Sequence, residues 1–106
     1  MQNIEEYKGI FEAVIERSKR ENASAALKKY LLSLDYKNIQ VIQVAMYLGQ
    51  DEEELKRTKN LEEKLDFEIK ETDWNPNKGI EALQIYDKGE GKDVGEALER
   101  VMNKFF

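Results

Sequence analysis

Carboxylates are the only side chains dense enough in this chain to act in concert. Ten of its 22 acids fall between Asp51 and Asp73, with five bases among them. Neighbouring carboxylates can share a proton, hold a divalent cation or attract a basic partner. Spacing decides among these. Glu52, Glu53 and Glu54 are consecutive, so a helix spreads them around its circumference instead of gathering them. Glu62 with Asp66, and Glu12 with Glu16, stand four apart and share helix faces. Two carboxylates still leave a divalent ion short of oxygen ligands, so a solvated face is the plain reading. Outside 51–73 the chain carries twelve acids and twelve bases, so the whole formal charge of -5 belongs to that segment. Its plain reading is again a solvated helix surface. Its sharper reading is a patch for a basic partner, with Glu52, Glu53, Glu62 and Glu63 as candidate contacts.

Other reactive side chains are missing. The sequence has no cysteine, hence no disulfide, thiolate metal site or thiol nucleophile. It has no histidine, which removes the commonest general base and the commonest metal ligand. The expectation is a protein that is not an enzyme and needs no cofactor or metal. Direct nucleic-acid binding is disfavoured, because phosphate contact needs clustered Lys and Arg. No apolar run approaches the roughly 20 residues of a membrane span, and MQNIEEYKGIFE is acidic where a signal peptide is basic. A cytoplasmic protein is expected.

Three local patterns invite chemical readings. In DKGEGKDVGEALE, a calcium loop starting at Asp87 would put Gly89 and Gly91 at ligand positions, Lys92 at the required glycine and Leu98 at the bidentate acid. A dinucleotide fingerprint on Gly89 and Gly91 would have Val94 as its third glycine and no preceding strand. A flexible helix connection is the better reading. KNIQVIQVAMYLG as a recognition helix offers base edges only Lys37, Asn38, Gln40 and Gln43, too few for groove reading. Gln40 and Gln43 share a face with Lys37 and Tyr47. Their plain reading is a narrow exposed stripe, and their functional reading is the polar edge of a pocket. Trp74-Asn75-Pro76-Asn77 holds the only tryptophan and the only proline. Trp74 either anchors this turn to the core or stands out as an aromatic contact, with Asn75 and Asn77 beside it as candidate partner-binding residues.

These residues need elements to position them. The run from Ile39 to Leu48 has only Gln40 and Gln43 as polar members and predicts a buried central helix over about 36–48, capped by Asp35. Gly49 would end it in the left-handed conformation. Asn3 with Glu6 opens a first helix to about Lys19, and Asn22 a second with Leu27 and Leu31 on its apolar face. Asp51 and Asn60 each precede a helical stretch, so 51–71 forms one helix or two, with Thr58-Lys59-Asn60 as the break. Asn77 and Asp93 cap the last two helices, with Gly89-Glu90-Gly91 as the loop between. Phe105 continues its helix face, and Phe106 frays or enters a subunit interface. No run alternates over strand length. The expected fold is all-α: one compact orthogonal bundle over 1–106, with five or six short helices around the central one.

The pattern YLLSLDYKNIQVIQVAMYLGQD, followed by a charged helical stretch and DWNPNKGIEALQI, resembles a family of small bacterial proteins of unassigned function. The shared features are a Tyr-Leu…Leu-Asp-Tyr…Met-Tyr-Leu-Gly core and a later Trp-Asn turn, and they cover about Tyr30 to the C-terminus. The resemblance implies a coherent single domain and a bacterial or bacteriophage setting, and it transfers no catalytic residue. The functional expectation is a small non-catalytic interaction or regulatory module, a monomer or weak homodimer, whose partner is another protein. The alternative is an acidic inhibitor that mimics nucleic acid in a basic protein groove.

Overall fold

The computed structural model describes residues 4–89 and 92–106. Seven helices and no strand occur among them: α1 (Ile4–Ser18), α2 (Ala23–Ser33), α3 (Tyr36–Gln50), α4 (Glu52–Arg57), α5 (Leu61–Glu71), α6 (Lys78–Gly89) and α7 (Lys92–Phe105). The fold is all-α. Six of the seven surround the central α3, the upper end of the five or six expected around it, because 51–71 divides. Thr58 and Asn60 both take extended backbone angles, and Thr58 Oγ1 turns back to donate to Glu54 O at 2.8 Å.

Four of the anticipated caps form. Asp35, Asp51 and Asn60 accept from the backbone N–H of Asn38, Glu54 and Glu63 at 3.2, 3.1 and 3.1 Å. Asn77 accepts from Gly79 and Ile80 at 2.9 and 3.3 Å. Each such bond satisfies an orphan helix donor and contributes about 1 kcal/mol. Two caps differ from expectation. Asn22 precedes α2 at φ -97°, ψ 38° and makes no side-chain cap bond. Asp93 lies inside the first turn of α7, which already includes Lys92. The Asn3 cap, and Glu90 and Gly91 of the expected loop, lie outside the described residues.

Burial follows from the apolar run. Ile39, Val41, Ile42, Ala45 and Met46 are fully enclosed, because neighbours surround α3 on nearly every side. The most extensive helix pairs are α3 with α7 and α1 with α7, while α2 packs on α6 and α5 on α3. Val94, Ala97, Leu98 and Val101 of α7 complete the core, with Phe11 and Val14 of α1.

Gly49 has a different role from the one its position suggested. It does not end α3, which continues to Gln50. Asp51, at φ -105°, ψ 95°, closes α3 and opens α4. A Cβ on Gly49 would fall 2.0 Å from the carbonyl oxygen of Ala97. The glycine is there because α7 crosses α3 backbone to backbone. Gly95 makes room on α7 for a side chain of α1, since a Cβ there would meet Ser18 Oγ at 2.0 Å.

The stripe expected on α3 is only partly exposed. Lys37 and Tyr47 face solvent and Gln40 is half-buried, but Gln43 is 6% exposed. Its Oε1 is buried without a hydrogen-bond partner. The spacing placed Gln43 on the right line of the helix, but the surrounding helices cover that line at this level. At the C-terminus Phe106 folds back edge-on to Phe11, with ring centroids 6.5 Å apart. No helix among the described residues is long and apolar enough to cross a membrane.

Candidate functional site

The acidic segment folds into a corner. Asp51 ends α3, α4 runs away from it, and α5 returns to lie on α3. Between the three helices is a groove of about 240 Å³. Val44, Tyr47 and Leu48 form its apolar side, and Asp51, Glu54, Lys64, Glu68 and Thr72 its polar side.

Lys64 organises the polar side. Its Nζ donates to Glu54 Oε2 at 3.1 Å and to Glu68 Oε1 at 3.0 Å. The first partner is ten residues away on another helix, and the second is one turn along α5. The hydrogen bond that Lys64 donates to Glu68 is the main cause holding the Lys64 pKa above its ordinary value, helped by Glu54 and opposed by burial. Arg57 adds Glu53 at 3.1 Å and Glu54 at 3.7 Å to the same network. Two carboxylates thus already grip one ammonium at the edge of an apolar groove. These charge-assisted bonds tie α4 to α5 across the groove. Among the described residues no group of three or more acidic, His or Cys side chains is placed to hold a metal ion.

Phe67 lies next to this network and is 59% exposed. Leu61 and Leu65 carry the buried stripe of α5. Phe67, two residues beyond Leu65, is about 200° around the helix and points outward. Glu63 and Glu71 are one turn away on either side of it, at i-4 and i+4. The most charged stretch of the chain therefore carries a large exposed aromatic ring.

The residues singled out from sequence fall in two places. Glu52 and Glu53 are exposed on α4, with Glu62 half-buried and Glu63 exposed on the first turn of α5. None of the four lines the groove. Trp74, Asn75 and Asn77 form the turn beyond the other end of α5, whose 11 residues span roughly 16 Å. Trp74 is half-buried against the core, and its Nε1 donates to Ile69 O at 2.9 Å. Asn75 Oδ1 accepts from the Asn77 N–H at 2.7 Å, and Asn75 O accepts from the Tyr36 hydroxyl. Burial, with a smaller contribution from Glu81, raises the Tyr36 pKa. The structure gives the turn residues internal hydrogen bonds and leaves the ring of Phe67 outside.

Sequence reasoning missed Tyr47, Lys64, Glu68 and Phe67 as a group. The i, i+4 spacing of Lys64 and Glu68 was visible, as was the position of Phe67 off the Leu61–Leu65 stripe. The return of Glu54 onto Lys64 was not, since it depends on the angle at the Thr58–Asn60 break. The other paired carboxylates behave as surface groups. Glu16 is engaged by Arg20 at 2.9 and 2.8 Å, and Asp66 faces Lys37 at 3.9 Å. Comparisons with protein-family models, with curated proteins and with solved structures find no match to this chain.

Proposed function

We propose that this protein is a small non-catalytic interaction module whose α4–α5 face docks on a basic surface of another protein. The observation that supports this most is Phe67, an exposed aromatic ring flanked by Glu63 and Glu71 in the segment that holds the entire net charge. Aromatic side chains with a solvent-excluding surround dominate interface energies, and a ring of opposite charge steers the encounter. Glu52, Glu53, Glu62 and Glu63 supply that steering, and the Trp74–Asn77 turn holds α5 in place. A cytoplasmic setting accords with a chain free of cysteine, and a bacterial or phage setting with the family resemblance.

The test uses a defined probe, an amphipathic peptide of lysine and leucine, against a lysine-only peptide of equal charge. The amphipathic peptide should bind more tightly, and Phe67→Ala should weaken it about tenfold or more. Equal binding of both peptides, with no effect of Phe67→Ala, would refute the docking role. The acidic-mimic reading remains distinct, and the charge concentrated in 51–73 favours it. It predicts that Glu→Gln changes at Glu52, Glu53, Glu62 and Glu63 abolish binding while Phe67→Ala is neutral, with steep salt dependence throughout.

A further inference from the structure

Three of the exposed large hydrophobic residues lie along one seam. Leu32 of α2 is 45% exposed, and Ile80 and Leu83 of α6 are 44% and 39% exposed. α2 and α6 are packed together, and the Leu32 side chain comes within 3.9 Å of the point where a Cβ on Gly79 would be. The same point lies 3.3 Å from Asn77 Oδ1, so the seam is an apolar patch and not an opening, with Leu32 on one side and Ile80 and Leu83 of α6 on the other. Grouped exposed aliphatics of this kind mark interaction surfaces more often than isolated ones do.

The charges around this seam are the reverse of those around Phe67. α2 carries Lys28 and Lys29 and no acid. Lys28 covers the ring of Tyr86 at 4.6 Å, so its ammonium sits over the junction of the two helices. Lys78 is exposed at the start of α6. The acids nearby in sequence are Asp35, committed to the α3 cap, Glu81, buried at 5% exposure, and Asp87, exposed one turn beyond Leu83. On the α5 face the surroundings of Phe67 are Glu63 and Glu71, with Lys70 as the minority base and Lys64 held by Glu54 and Glu68. Majority charges on the two faces are opposite in sign, and so are the minority charges Lys70 and Asp87.

We propose that the partner of the α5 face is a second copy of this chain, Phe67 of one copy seating on the Leu32–Ile80–Leu83 patch of the next. This rests on the docking role given to the α5 face above and names its occupant. The two surfaces are different patches of the same molecule, so the contact is head-to-tail. A joined pair keeps one unused face of each kind, one on each copy, and association continues into rings or open chains instead of stopping at two. Charge pairing makes it weaken with salt.

Sedimentation of the 106-residue chain tests this. At low salt the average mass should rise with concentration beyond two chains, and at high salt it should fall toward one. Phe67→Ala and Leu83→Asp change exposed positions, and a melt confirms that each variant folds. Each alone should associate at least about tenfold more weakly than wild type. Mixed in equal amounts they should form a species of two chains and no larger, because the mixture retains one intact pair of faces. A wild type that stays a single chain throughout overturns the proposal. So does association that stops at two chains and is not restored by mixing the variants, since that describes a symmetric contact. A single-chain wild type that still binds the amphipathic lysine–leucine peptide through Phe67 would overturn only the self-association. Failure of both would remove the docking role as well.

Discussion

Replacing Gly49 by alanine tests the crossing of α3 and α7 at its tightest point. The new Cβ would lie 2.0 Å from Ala97 O, 2.6 Å from Ala97 C and 2.9 Å from Ala97 Cα. Ordinary carbon contacts fall near 3.5–4.0 Å, so the two backbones must separate by roughly 1 Å or more. Neither helix can yield cheaply. α7 is pinned on its α1 side by Gly95 against Ser18, and Arg100 ties it to Gly49 O at 3.2 Å. Overpacking in a closed core costs about 1–3 kcal/mol and more when backbone must move. Alanine recovers about 1 kcal/mol of helix propensity. The net expectation is a loss of about 2 kcal/mol, which lowers the Tm of a domain this size by roughly 8–16 °C. Gly9 is the internal control. It is exposed on α1 with nothing within 4 Å of its would-be Cβ, so Gly9→Ala should raise the Tm by a few degrees through propensity alone. Thermal melts followed by circular dichroism read both variants. A Gly49→Ala protein as stable as wild type, beside a stabilised Gly9→Ala, would refute the close crossing.

Truncating Ile42 or Met46, both fully buried on α3, to alanine should cost about 2–5 kcal/mol in urea denaturation. Gln43→Met removes the buried, unpartnered Oε1 while keeping volume, and should stabilise by about 1 kcal/mol in the same assay; a destabilised variant would show that the amide is satisfied in solution. Stability should fall at alkaline pH, because Lys64 and Tyr36 both have folded pKa values raised above their unfolded ones, near about 10. Their contribution is complete below the unfolded values and is lost as pH rises through the folded ones. Urea midpoints taken up to about pH 11 should show that loss, and Tyr36→Phe should lessen it.

The sequence by itself determined the all-α class, the buried α3 and the starts of α3, α4, α5 and α6. These rest on signals within a few residues: an Asp or Asn side chain reaches the N–H three positions on, and an apolar residue every three or four builds a face. Asn22 shows the limit of such signals, since it has the right residue type and makes no cap bond. Tertiary structure decided what the same residues are for. Gly49 looked like a helix terminator and is a contact point, because Ala97 comes against it from 48 positions away. Gln43 looked exposed and is enclosed. Glu54 closes on Lys64 only because of how α4 and α5 are angled at the break. Phe67 is exposed because α5 meets α3 along the stripe of Leu61 and Leu65, and its side chain leaves the helix about 200° around from Leu65. Local geometry is written in neighbouring residues. Which faces meet depends on how all the helices share one core, and no single segment encodes that.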